Sequence, residues 1–523
     1  MPERRDTFIS YSRANAAFAR DLYKKLSAQG FTLWRDLNDM EGGEDWWRQI
    51  QEAIENVDTM VLILSPKALA SEVVAQEWHY ARQKGTRIIP ILAESVDFDA
   101  VPRWMRRVHW LDLRPEAQER DLMWQRLLEQ LREPYEPRRV PFPEAEKPPA
   151  DFVRRPDVFE PLIGALVDEK HGAVAISAAL RGAGGYGKTA LAQALIHDTR
   201  VRGAFDDGIL WITLGEKPES LLAKLQDLYV VLKGETCPYQ TIEVAKNALV
   251  ELLKDRYMLI VIDDVWDGEH LKPFLIGGEH CAHLITTRYN ETLPDAVTFR
   301  VPVDAMKPDQ AAQLISQGFS DAARARHAGD FAALTGRLFG WALLLKLANG
   351  FLKDYGEHDL ERGLSDLNGL LDESGIEGLD EKGRIEGLLK ATFTRLKPDQ
   401  VERFHDLRIF PEDVRIPLDA VQKLWRATGN LNAAFCGQLL NRFEDLSLLL
   451  EYKRGDGTIR LHDAIRAVAT ARRADDLPAL HRKFLDAYGV DSWARLPPDE
   501  PYLWDHLAYH LLAADARAEL RAC

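Results

Sequence analysis

One stretch limits this chain more than any other: GAGGYGKT, residues 182–189, between the apolar run AVAISAA and a helix-forming run that opens at Lys188. The spacing fits G-x-x-x-x-G-K-[ST]. Glycines at 182, 184, 185 and 187 let the backbone wind so tightly that several N–H groups point at one phosphate. Lys188 supplies a charge for the β- and γ-phosphates, and Thr189 offers its hydroxyl to Mg²⁺. The N-terminal end of the following helix adds its positive pole. A strand–loop–helix unit of this kind belongs to a parallel α/β sheet.

Two further elements follow in the order such a site needs. LIVIDDVWD (259–267) is an apolar strand that delivers Asp263 and Asp264 at its C-terminal end. A carboxylate there can hold a metal with Thr189 and polarise a water. ITTR (285–288) ends the next strand in Arg288, positioned to read a γ-phosphate. A ligand carrying β- and γ-phosphates, with Mg²⁺, is expected here.

Organisation comes next. Strands alternate with helices over 6–132: DTFISYS, FTLWRD, TMVLILS and RIIPILA are the apolar runs, with amphipathic stretches between them. This alternation predicts a second parallel sheet covered on both faces. Six prolines lie within residues 134–149, a composition that resists helix and sheet and acts as a stiff linker. From about 301 the strand signal fades into helical periodicity. LLEYKRGDGTIRLH (449–462) reads as a hairpin turning at GDG. Helices followed by that hairpin suggest a winged-helix unit. The expected divisions are 1–133, a Pro-rich linker 134–150, a P-loop domain 151–300, a helical domain 301–380, a winged-helix domain 381–475 and a helical segment 476–523. The fold class is α/β multidomain.

Composition excludes several classes. No run of about 18 apolar residues occurs, so no membrane span is expected. The N-terminal MPERRDTFISYSR has no apolar core of a secretion signal. Four cysteines lie far apart without CxxC pairs, which fits a reducing, cytoplasmic setting. Net charge is −15, which argues against non-specific nucleic-acid binding.

GAGGYGKT, LIVIDDVWD and ITTR, together with GWALLLKL (340–347) and LHD (461–463), resemble the NB-ARC class of signal-transducing P-loop (STAND) switch proteins over about residues 151–475. The resemblance implies that Gly340 and Leu343 contact the adenine and that His462, beside Asp463, reaches the β-phosphate of ADP. It also implies an arginine near the nucleotide, Arg154 or Arg155. Ala342 stands where the family usually has Pro, and Leu461 where it has Met. The family's logic is an ADP-locked closed state and an ATP-bound open state. His462 would act as a latch favouring one of them.

Residues 5–132 resemble TIR domains through DTFISYSR (6–13), WRDLNDMEGG (34–43), DWWRQIQEAIENVD (45–58), VLILSPKALAS (61–71) and QEW (76–78). Ser71 followed six residues later by Glu77 matches the pattern of NAD⁺-cleaving members, which makes Glu77 the implied catalytic acid. The resemblance places an aromatic beside the cleft at Trp46, or else Trp47. Ser10, Arg13, Arg35 and Asp36 are further candidates for binding NAD⁺ or shaping the loop. Val73 replaces a Trp that many active relatives carry four residues before the acid, so the stacking surface beside Glu77 is smaller than expected. Together the resemblances imply a bacterial, NLR-like anti-phage protein. Its nucleotide state would govern homo-oligomerisation and NAD⁺ cleavage in answer to a trigger or sensor partner. The alternative is a TIR scaffold that recruits another effector. The tail YLWDHLAYHLL (502–512) resembles the segment that leads, in many relatives, into a WD-type propeller, so a sensor is expected to be lacking or cut away.

Overall fold

The computed structural model describes residues 7–35, 46–135, 138–143, 146–167, 177–181, 185–218, 220–289, 293, 294, 297, 299–412, 414–471, 476–490 and 492–522. Of the candidate residues, Asp36, Gly182 and Gly184 lie outside these, as do the side chains of Arg35 and Trp46.

The first unit is a five-stranded parallel sheet in the order β2-β1-β3-β4-β5. Its strands are β1 (Thr7–Ser10), β2 (Leu33–Arg35), β3 (Thr59–Leu64), β4 (Arg87–Leu92) and β5 (Leu111–Asp112). Side chains alternate between faces, so neighbours on one strand enter different cores. Ile9, Val61 and Ile91 pack with Leu22 and Leu26 of helix Ala16–Ala28 and Leu127 of helix Arg120–Arg132. Phe8, Met60 and Leu62 pack with Ile50 and Ile54 of helix Trp46–Glu55 and Val74 and Trp78 of helix Glu72–Lys84. Strand order reverses between β1 and β3, which opens a crevice at their C-terminal ends.

The second unit is also a five-stranded parallel sheet, ordered β10-β6-β9-β8-β7. Its strands are β6 (Ser177–Arg181), β7 (Gly208–Gly215), β8 (Met258–Val265), β9 (Ala282–Thr287) and β10 (Phe299–Pro302). Sequence reading ended its strand signal near 300, yet β10 straddles that point. It is an edge strand, where a proline costs no ladder bond on its open side. The four residues FRVP are too short and too polar to announce themselves.

Helices dominate after β10. The apolar run 331–352 divides into helices Ala328–Arg337 and Ala342–Lys353, because Phe339 and Gly340 take left-handed φ of 58° and 60°. A small antiparallel sheet, β11-β13-β12, is formed by β11 (Ile416–Pro417), β12 (Glu451–Lys453) and β13 (Thr458–Arg460) beside helices Leu418–Gly429 and Ala433–Asp445. One apolar core runs from Met306 through Trp425 to Leu511, without a break at 380 or 475. No helix among the described residues is long and apolar enough to cross a membrane.

Candidate functional site

Two sites take shape, one in each sheet. In the second sheet, Gly187 adopts φ 92° and caps the helix Lys188–Ile196. Lys188 is 8% exposed. Burial, with Arg288 nearby, lowers its pKa to about 8, although Asp264 and Asp263 pull the other way. Thr189 Oγ1 donates to Asp263 Oδ1 at 3.0 Å. Thr286 Oγ1 donates to the same oxygen at 2.6 Å and accepts from the Asp264 amide at 2.8 Å. A register shift between Ile262 and Val265, with Asp264 at φ 53°, splays the two adjacent acids. Asp263 therefore meets Thr189. Asp264 instead accepts from Trp266 Nε1 at 2.7 Å and lies 3.9 Å from Arg288 Nε.

The Thr189 hydroxyl beside one carboxylate is a hard-oxygen donor pair of the type Mg²⁺ takes, with phosphate and water filling the remaining positions. No cluster of three His, Cys, Asp or Glu that could hold a metal by itself occurs among the described residues. The protein would thus supply only part of the shell.

His462 comes to the same place from the other end of the chain. Burial drops its pKa to about 3, and the positive field of Arg288, Lys346, Arg460 and Lys188 acts in the same direction. The Ala464 amide donates to its Nδ1 at 3.2 Å, so the ring proton sits on Nε2 as a single donor. Lys346 also pairs with Asp151 at 2.8 Å; a positive field of this kind around a neutral imidazole suits a polyanion. Asp463 goes the opposite way: burial, then Glu412 and Asp264, raise its pKa to about 6.

The P-loop is packed directly on the helical unit. The Leu343 amide donates to Gly185 O at 3.0 Å, and Tyr186 stacks on Trp341 at 5.3 Å. Gly340 is required: a Cβ there would lie 2.6 Å from Met306 O, and its own carbonyl accepts from the Met306 amide. Of the two candidate arginines, Arg155 faces the loop, but its guanidinium donates to the carbonyls of Asp304, Ala305 and Tyr186. Arg154 points away, to Glu160 and Asp198. Sequence reading missed Thr286, Lys346 and Arg460. All three lie inside quoted stretches, ITTR, GWALLLKL and LLEYKRGDGTIRLH, without a role attached to them. Lys346 passed as an ordinary helix lysine within that run, although it is half-buried and pairs with Asp151.

In the first sheet, Ser71 caps the helix Glu72–Lys84, accepting from the Val74 amide, and Gly85 ends it at φ 81°. Glu77 faces inward at 2% exposure. Ser10 Oγ, at the C-terminal end of β1, donates to Glu77 Oε2 at 2.6 Å. Tyr80 lies one turn on and meets Trp47 edge-on at 6.1 Å. Trp47 thus stands beside the helix that carries Glu77. Val73 is 39% exposed, and Arg13 is exposed. Beside the crevice, Asn15 accepts from Ser65 Oγ and donates to Glu94, each at 2.6 Å. That link was not anticipated.

With this geometry in place, comparison with known proteins gives two family matches: a TIR domain over residues 7–128 and an NB-ARC domain over 156–323. Apoptotic protease-activating factor 1 of Homo sapiens is 27% identical over 365 residues, which cover 66% of this chain and 28% of that protein. Regulatory protein AfsR of Streptomyces coelicolor is 28% identical over 334 residues, covering 62% of this chain and 32% of its own length. The chain thus spans less than a third of these two curated relatives. Among solved structures, a Signal Transduction ATPase with Numerous Domains (STAND) protein with a tetratricopeptide repeat sensor, from Pyrococcus horikoshii, is similar at a TM-score of 0.42 and 16% identity. That likeness covers 65% of this chain and 46% of that one.

Proposed function

We propose that this chain, which joins a TIR domain to an NB-ARC domain, is a nucleotide-switched NAD⁺ glycohydrolase of the anti-phage type. The observation that carries this reading is the buried Glu77 carboxylate held by Ser10 at the C-terminal end of β1. In NAD⁺ the nicotinamide is a cationic leaving group. Breaking the C1′–N bond sends the bonding pair to nicotinamide, which departs neutral, and leaves positive charge on the ribose. A desolvated carboxylate stabilises that charge and accepts from the ribose hydroxyls. Ser10 would keep the carboxylate oriented while it accepts from those hydroxyls. Water then adds to C1′ and loses a proton, giving ADP-ribose. Trp47, edge-on to Tyr80, would stack on the nicotinamide.

The second site is the switch. Lys188, Arg288, Arg460 and Lys346 would hold ADP phosphates, His462 Nε2–H would donate to the β-phosphate, and Thr189 with Asp263 would hold Mg²⁺. A γ-phosphate adds charge next to Arg288 and competes for the space that His462 closes. The chain would then open and self-associate, bringing TIR domains together at high local concentration. Nicotinamide release by the assembled protein tests the enzyme reading. It should disappear in Glu77→Gln while assembly persists. The exposed Val73, in place of an aromatic, favours the scaffold alternative, and assembly without NAD⁺ consumption in the wild type would select it.

A further inference from the structure

The helix that carries Glu77 also makes the contact between the two units. Arg82 lies five residues after Glu77, and its guanidinium stacks 4.5 Å from the Trp104 ring. It donates to Asp206 O at 2.5 Å and to Asp207 Oδ1 at 3.0 Å. Arg107 reaches the same pair, at 2.5 Å from Asp206 Oδ1 and 3.1 Å from Asp207 Oδ2, and covers the Tyr257 ring at 4.0 Å. Asp207 is fixed in turn by the Tyr257 amide at 2.9 Å. The Asp206 side chain is only 8% exposed. A partly buried network of this kind holds better than an isolated surface pair.

The Pro-rich segment runs through the same junction. The Val140 amide donates to Arg82 O at 2.9 Å, and Pro141 O accepts from the Ile209 amide at 2.8 Å. Arg139 O accepts from Arg256 Nη1 at 2.9 Å. Gly208, at φ 126°, makes room: a Cβ there would lie 2.7 Å from Pro141 Cδ. Further on, Glu146 touches two more parts. Its Oε2 accepts from Gln193 on the P-loop helix at 2.9 Å, and its Oε1 pairs with Arg415 at 2.9 Å. Arg415 immediately precedes β11 of the small sheet, whose β13 leads into His462. A movement that carried this sheet away from the P-loop helix, with Glu146 kept on Gln193, would part Arg415 from Glu146.

We propose that this strap and the Arg82/Arg107–Asp206/Asp207 clasp form an intramolecular lock, released when Arg415 leaves Glu146. The lock rests on the switch reading above. Closed, it keeps the helix of Glu77 against the nucleotide-binding unit and the TIR domain away from other copies. Opened, it frees both.

Hydrogen exchange at the Val140 and Ile209 amides of the full chain reports the lock directly. With ADP, both amides should be protected in the wild type. A non-hydrolysable ATP analogue should raise exchange about tenfold. Arg107→Glu and Arg415→Ala should show the raised rate already in ADP, with nicotinamide release raised to match. Adding Asp206→Arg to Arg107→Glu should restore protection. Should the double variant fail to fold, Asp206→Asn, which removes the charge but keeps the shape, should open the amides in ADP. Wild-type protection in Arg107→Glu and Arg415→Ala overturns the lock. So does open exchange in both with ADP-state release no higher than wild type, while the ATP analogue still drives release. If no protein releases nicotinamide with any nucleotide but exchange follows the nucleotide, the lock stands and the enzyme reading fails.

Discussion

At the residue scale, the two sites rest on short oxygen contacts between groups far apart in sequence. Ser10 and Glu77 are 67 positions apart, and Thr286 and Asp263 are 23 apart. Ser10→Ala leaves Glu77 buried without that donor, so kcat/KM for NAD⁺ should fall about tenfold, the worth of one hydrogen bond to a charged group. An unchanged kcat/KM would remove Ser10 from the site. Thr286→Val strips Asp263 of its shortest bond and leaves the Asp264 amide without an acceptor. Calorimetric affinity for Mg²⁺–ADP should weaken by about tenfold, and the thermal midpoint should fall as well because a buried donor loses its partner. Motif residues were legible in the sequence because their chemistry is local: Lys188, Thr189 and Asp263 are implied by spacing and strand context. Ser10 and Glu77 needed a resemblance, and their contact needed coordinates. Residues whose role depends on field alone, Lys346 and Arg460, leave no local signature.

At the element scale, the four longer strands of each parallel sheet were readable, because buried parallel strands are continuous apolar runs. The short edge strands β5 and β10 were not. The break at Phe339–Gly340 was hidden inside an unbroken apolar pattern, since packing rather than hydropathy demands it. Gly340→Ala tests that demand. The added methyl meets a carbonyl and must hold a left-handed φ, which costs on the order of 2–3 kcal/mol together. The thermal midpoint should drop by several degrees and ADP should dissociate faster. A variant as stable as wild type would show that the P-loop does not depend on this turn.

At the scale of the whole molecule, what the sequence leaves out is how units meet. Six prolines read as a spacer, yet residues 139–142 touch a helix of the first unit and β7 of the second, and Glu146 joins the P-loop helix to the residue before β11. A spacer and a strap share one composition; partners decide between them. Buried histidines give the assembly a pH dependence. Burial holds His283 and His481 at pKa values of about 4, against 6.5 when exposed. Between those values the unfolded chain binds more protons, so stability falls as pH falls. Each should cost about 1 kcal/mol at pH 5.5 relative to pH 7.5, and thermal midpoints measured across that range should decline. A flat profile would contradict neutral burial. The central claim, that a phosphate cradle in one sheet governs a carboxylate in the other, is tested most directly by measuring nicotinamide release from NAD⁺ by the full chain with ATP and with ADP, in wild type and in Lys188→Ala. Release that rises with ATP in wild type and stays at the ADP level in Lys188→Ala is the predicted result. Equal release by both proteins, whichever nucleotide is present, would contradict it.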